Sequence, residues 1–277
     1  MQYHIKKRKM MKNISAILII AIMFCGCSKS GNTPTSPVDN PPAAVTLSTA
    51  GNTASSISIS WTKNGDADFA CYRVYRAASA GVSSSSNLLT TITAQSDTAY
   101  TDTTLSPSHT YYYAVYVADT ANQTTKSNEV NPTTTSLTSL AVGIEPRVLT
   151  VANGSIFAIS VWVESVTDLF GAAFEISFDS TKIVAESAQQ GSFLGSNVIF
   201  YPHCDSVSSS ASVAVTRLDG AIGVSGHGTL ATVYFHAVGT GSTTISFTSD
   251  LALRKEDGAS VNGFATVSKW DSRVSVQ

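Results

Sequence analysis

Hydrophobic and polar residues alternate with a period of two through most of the chain beyond residue 43. In Ser56-Ile57-Ser58-Ile59-Ser60-Trp61 the alternation is strict, and Tyr72-Arg73-Val74-Tyr75 repeats it. Side chains two apart on an extended strand share a face, so each run predicts a strand with one buried side. Leu88 to Ile92 and Tyr111 to Val117 continue the series to about residue 132, with turn-forming clusters between the runs. Short, evenly spaced strands predict an antiparallel sandwich. After the polar stretch Asn131-Pro132-Thr133-Thr134-Thr135-Ser136 the alternation resumes with Leu140-Ala141-Val142-Gly143-Ile144. Phe157, Ile159, Val161 and Val163 then share one face, with Ala158, Ser160 and Trp162 on the other. Phe174, Ile176 and Phe178 follow, then Val213 with Val215, Val233 with Phe235, and Ile245 with Phe247. The fold class is therefore all-β: two antiparallel β-sandwiches, the second a jelly roll.

The beginning of the chain has a different pattern. Lys6, Lys7, Arg8, Lys9 and Lys12 precede an apolar run from Ile14 to Phe24 that breaks at Cys25-Gly26-Cys27. A basic start, a short apolar segment and small residues before a cleavage point make an export signal. The run is about half the roughly 20 residues that a spanning helix needs. Phe24-Cys25-Gly26-Cys27 resembles a bacterial lipobox, in which the Cys after a small residue is acylated and becomes the mature N-terminus. The resemblance makes Cys27 the lipidation site, with acyl chains sufficient for stable anchoring. Phe24 stands where lipoboxes usually carry Leu, and Ser28 stands where an Asp would signal inner-membrane retention. The alternative is an ordinary signal peptide cut near Ala21 to Gly26. Ser28 to Pro42 reads SKSGNTPTSPVDNPP, a Pro-stiffened polar tether. Extended, it reaches roughly 45 Å at about 3.1 Å per residue.

Composition narrows the function classes. The chain has 17 Lys+Arg and 19 Asp+Glu, and removing residues 1–26 takes five basic side chains and no acidic one, leaving a net charge of about −7. Nucleic acid, which needs a basic footprint, is not an expected partner. With Cys25 and Cys27 assigned to the signal and the lipid, only Cys71 and Cys204 remain, one in each half, and free thiols are expected. The organisation is a signal over 1–26, a tether over 27–42, a first sandwich over 43–132, a linker over 133–138 and a second sandwich over 139–277.

The first sandwich resembles a fibronectin type III domain over its whole length. Pro41-Pro42 leads into the first strand, Trp61 occupies the second-strand Trp position, and Tyr72 and Val74 match the third-strand core pair. Leu105-Ser106-Pro107 followed by Tyr111, Tyr113, Val115 and Val117 matches the corner and sixth strand, with Tyr111 as the corner tyrosine. Cys71 stands where a Gly often precedes the Tyr, and there is no Arg-Gly-Asp tripeptide. The resemblance implies a spacer.

The second sandwich resembles a cohesin domain, the partner of dockerin modules. Asn153-Gly154-Ser155 with the FAISVWV run, Gly171 to Asp179 leading into Ser180-Thr181-Lys182-Ile183-Val184, Gly228 to Phe235, and Val261-Asn262-Gly263 carry the likeness in order. It implies protein binding through one sheet face built from the third, fifth, sixth and eighth strands. Alternation places there Ala173, Glu175 and Ser177 on the third strand, Tyr201 and His203 around the fifth, Thr216 near the sixth, and Thr232, Tyr234 and His236 on the eighth. Tyr201 and Tyr234 are the expected anchors, since a few aromatics usually dominate such interfaces; covering a strand face is their alternative role. Gly171 and Ala173 depart from the Asn and Asp that dockerin-binding cohesins tend to place at the start of the third strand, which leaves the partner open.

No catalytic chemistry is expected. His109, His203, His227 and His236 sit in no nucleophile or zinc motif. In His203-Cys204-Asp205, neighbouring strand residues point to opposite faces and would share one metal ion only in a loop. Counted from Asp66, Asn64-Gly65-Asp66-Ala67-Asp68 lacks the Gly and closing Glu of a calcium loop, and it reads as a turn. A competing function is carbohydrate binding, with outward-facing Trp162 as the stacking platform. The expectation is a non-catalytic protein without cofactor, lipid-anchored in a bacterial cell envelope at the outer membrane or cell surface. It displays a protein-binding module for an exported, dockerin-bearing or other partner; the alternative is a carbohydrate-binding surface lipoprotein.

Overall fold

The computed structural model describes residues 40–205, 207–218, 220–261 and 267–277. The export signal, Cys27, most of the tether, and Asn262 and Gly263 of the expected closing turn lie outside these residues. No helix occurs among the described residues.

Seven strands form the first sandwich: β1 (Leu47–Asn52), β2 (Ile57–Trp61), β3 (Phe69–Ala77), β4 (Asn87–Ile92), β5 (Ala99–Asp102), β6 (Tyr112–Asp119) and β7 (Thr124–Lys126). They pair as sheets of order β1-β2-β5 and β4-β3-β6-β7. The alternating apolar residues meet between the sheets: Ile57, Ile59 and Trp61 from β2 pack with Tyr72, Val74, Tyr113, Val115 and Val117. Trp61 and Tyr72 meet edge to face with ring centroids 5.4 Å apart. Asn64 to Asp68 is the expected turn between β2 and β3, closed by an Asp66 N–H donating to Asn64 Oδ1 at 3.0 Å. One ion pair is buried with this core. Arg76 Nη1 donates to Asp102 Oδ2 at 2.7 Å, and the Tyr113 hydroxyl donates to the same oxygen at 3.0 Å.

The expected corner is present, with the Ser106 N–H donating to the Tyr111 hydroxyl at 2.9 Å. Part of the expected linker is bound to this sandwich. Thr134 is buried, its Oγ1 donating to the Ser106 carbonyl at 2.7 Å, and the Thr135 N–H donates to the Thr53 carbonyl at 3.0 Å.

The second sandwich contains β8 (Ala141–Glu145), β9 (Val148–Val151), β10 (Ile156–Leu169), β11 (Gly171–Ser177), β12 (Ile183–Gln190), β13 (Val198–Cys204), β14 (Ser210–Arg217), β15 (Val224–Ala237), β16 (Gly241–Arg254), β17 (Ser268–Trp270) and β18 (Ser272–Val276). One sheet runs β12-β15-β10-β8-β17 and the other β13-β14-β11-β16-β18-β9. The inward residues of both fill one core, in which Phe178 meets Phe235 edge to face at 5.1 Å and Phe157 stacks on Phe235 at 5.6 Å. With the short edge strand β9 set aside, the third, fifth, sixth and eighth strands are β11, β13, β14 and β16. These four lie side by side in the six-stranded sheet. Cys71 and Cys204 are both free.

Candidate protein-binding face

The outer surface of β13, β14, β11 and β16 is set by register. Three rows cross it: Ile199, Thr216, Gly171 and Arg254; then Tyr201, Ala214, Ala173 and Ala252; then His203, Ser212 and Glu175. The middle row is the informative one. Three alanines make a flat floor, and Tyr201 stands at its edge with 72% of its surface exposed, beside Ile199 at 57%. Gly171 lies in the first row by register, and a Cβ there would stand 3.1 Å from Thr216 Oγ1. Two shallow depressions result. One of about 390 Å³ lies between Ile199 and Tyr201 on one side and Arg254, Lys255 and Glu256 on the other. The second, about 300 Å³, lies between Tyr201, Glu175, Ser212 and Asp250. Glu175 is held in place by the Thr248 hydroxyl, which donates to its Oε2 at 3.2 Å.

This arrangement keeps part of the expected face together and divides the rest. Ala173, Glu175, Ser177, Tyr201, His203 and Thr216 all lie on the six-stranded sheet. Thr232, Tyr234 and His236 do not: they are outward residues of β15, the seventh strand, in the opposite sheet between β12 and β10. There the Tyr234 hydroxyl donates to Gln189 Oε1 at 3.1 Å, and His236 Nδ1 lies 3.5 Å from Glu186 Oε1. Alternation had given their side of the strand correctly, but not the sheet. The eighth strand is β16, whose outward Ser246, Thr248, Ala252 and Arg254 complete the face. The inward Ile245 and Phe247 already implied the outward Ser246 and Thr248. Ile199 and Ala214 were also missed, although each is two residues from one named.

Trp162 is not a sugar platform. It faces away from its own core, as expected, yet is only 1% exposed. Its ring lies over Gly143 of the neighbouring strand and meets Trp270 edge to face at 5.7 Å. His109 of the first sandwich covers it at 6.4 Å between ring centroids. Glu164, on the same outer face and 2% exposed, accepts a hydrogen bond from the Ser108 hydroxyl at 2.9 Å. Glu145, also on this face, accepts from the Tyr111 hydroxyl at 3.0 Å and from the Ser106 hydroxyl. The corner of the first sandwich thus sits on the outer face of the five-stranded sheet. Burial, and secondarily the Glu145 charge, pushes the Tyr111 hydroxyl pKa well above the ordinary tyrosine range.

Among the described residues no group of three or more His, Cys, Asp or Glu side chains is placed to hold a metal ion. Asp205 Oδ1 instead accepts the Val207 N–H at 3.1 Å in the turn after β13.

Each of the two sandwiches matches a known family model. Residues 40–135 match the fibronectin type III domain, and residues 144–270 match the cohesin domain. Similar solved structures include a non-cellulosomal cohesin from the hyperthermophilic archaeon Archaeoglobus fulgidus, at 18% identity over 50% of this chain and 91% of that one, with a TM-score of 0.42. The third ScaC cohesin of Acetivibrio cellulolyticus, solved in complex with the ScaB dockerin, is also 18% identical over 50% of this chain and 98% of that one, TM-score 0.43. A type II cohesin domain from the cellulosome of Acetivibrio cellulolyticus is 15% identical over 49% of this chain and 95% of that one, TM-score 0.43. Comparison with curated protein sequences gives no match. The chain thus matches the fibronectin type III model over residues 40–135 and, following it, the cohesin model over residues 144–270.

Proposed function

We propose that this protein is a non-catalytic display device of a bacterial cell envelope, held by a lipid on Cys27, whose cohesin domain docks an exported, dockerin-bearing partner. The docking surface is the outer face of β13, β14, β11 and β16. The observation that carries this reading is the middle row of that face: one exposed tyrosine beside three alanines. A small-residue floor admits close approach, and a raised aromatic supplies the anchor on which such interfaces usually depend. The floor spans three strands, roughly 10 Å between its outer strand axes, close to the width of an α-helix. A helical surface of the partner, with one apolar side chain in the larger depression and polar groups opposite Arg254 and Glu175, fits it. A sugar site would need several coplanar exposed rings, whereas Tyr201 is the one well-exposed Phe, Trp or Tyr among the described residues.

The test is calorimetric titration of the chain with purified dockerin modules encoded by the same genome. Saturable binding that weakens at least tenfold in Tyr201→Ala supports the proposal; about 1.4 kcal/mol corresponds to that factor. No binding to any dockerin, together with retention on a polysaccharide that Tyr201→Ala does not alter, overturns it.

A further inference from the structure

We infer that the first sandwich is seated rigidly on the second rather than being a hinged spacer, and that its corner is a built-in cap on β8 and β10 of the five-stranded sheet. The hydrogen-bond donors to Glu145 and Glu164 identify the capped surface. Ser106 and Tyr111 serve Glu145, and Ser108 serves Glu164, so both carboxylates of one sandwich are satisfied by hydroxyls of the other. Between them lies Trp162, a large apolar ring on the outside of its own sheet, closed over by His109. An outer sheet face of a freestanding sandwich carries polar residues toward water; an almost fully buried Trp there, flanked by two carboxylates that are both hydrogen-bonded across the joint, marks an interface.

The backbone on both sides of the contact is held in the same unusual way. Ser108, the donor to Glu164, has φ of 55°, and Ser165, the residue after Glu164, has φ of 53°. Left-handed conformations at non-glycine residues persist where their surroundings over-determine them. Here the surroundings are the joint itself, since the Ser165 hydroxyl donates to the Leu137 carbonyl in the segment connecting the sandwiches. The connecting segment is thereby fastened to β10 rather than left to swing. One consequence concerns presentation. With the β8 and β10 part of the five-stranded face capped, that area is closed to docking, and a partner on the six-stranded face meets a body of fixed geometry.

Two measurements on the full chain test this inference, and neither requires a docking partner, so its failure is distinguishable from failure of the proposed function. Backbone nitrogen relaxation should give one rotational correlation time for both sandwiches; two separate times would overturn the inference. Ser108→Ala, a change in the first sandwich, should speed amide exchange in β8 and β10 of the second by roughly threefold to tenfold, in the range of couplings between contacting residues. Unchanged exchange there, with the first sandwich still folded, would overturn it. If the variant fails to fold, the relaxation of the unsubstituted chain still decides.

Discussion

The Trp162 ring lies directly on Gly143, its partner across β8 and β10, so closely that a Cβ at Gly143 would stand 2.1 Å from Trp162 Cζ2. Glycine is therefore required there by the ring and not by backbone conformation. Gly143→Ala should destabilise the chain by about 1–3 kcal/mol through overpacking. Trp162→Ala should cost about 3–5 kcal/mol as a large buried side chain is lost. In the Trp162→Ala background the Gly143→Ala penalty should vanish, which urea unfolding of the four chains would show. Persistence of the full penalty would mean that the ring is not its cause.

The two tyrosines singled out in the sequence separate the sheets experimentally. Tyr201→Ala should reduce partner affinity at least tenfold, the cost of losing an interface anchor. Stability should stay within about 0.5 kcal/mol, as for most exposed substitutions. Tyr234→Ala, on the opposite sheet, should leave affinity unchanged. Filling the floor by Ala214→Arg should also abolish docking, with an unchanged melting temperature as the control.

Alkaline pH should loosen the first sandwich. Tyr111 and Tyr113 both have hydroxyl pKa values raised from 10.0, chiefly by burial and secondarily by the charges of Glu145 and Asp102 respectively. The folded state resists an ionisation that the unfolded chain accepts near pH 10. Their stabilisation is thus complete below about pH 10 and declines above it, by up to about 1.4 kcal/mol per tyrosine per pH unit. Melting temperatures between pH 8 and 11.5 should fall along this course, and Tyr113→Phe should make the fall shallower, leaving the part due to Tyr111.

Anchoring through Cys27 has a direct readout. The native protein should partition into the detergent phase of a Triton X-114 separation, and Cys27→Ser should move it to the aqueous phase or leave it unprocessed. Aqueous partitioning of the unsubstituted protein would indicate the ordinary signal peptide instead.

Much of the architecture was legible because strand periodicity is local. The inward faces at Ile57, Ile59 and Trp61, or at Phe174, Ile176 and Phe178, follow from alternation alone, and all six side chains are buried. The corner at Tyr111 was equally readable, since its hydroxyl reaches a backbone group only five residues upstream. What misled was inference across longer distances. Tyr234 and Tyr201 carry the same local signal, an aromatic at an outward strand position, yet one strand pairs with β10 and β12 and the other with β14.

The sequence by itself determined two all-β sandwiches in this order, which side chains point inward in strands such as β2, β10 and β11, and the position of the lipobox-like cysteine. These depend on a two-residue repeat and on short motifs. The tertiary structure alone decided that β15 and β16 belong to different sheets, that Ala173, Ala214 and Ala252 align beneath Tyr201, and that Trp162 is covered by His109. Each of those is a contact between residues far apart in the chain. Pairing register and the seating of one sandwich on the other set such contacts, and no local pattern encodes them.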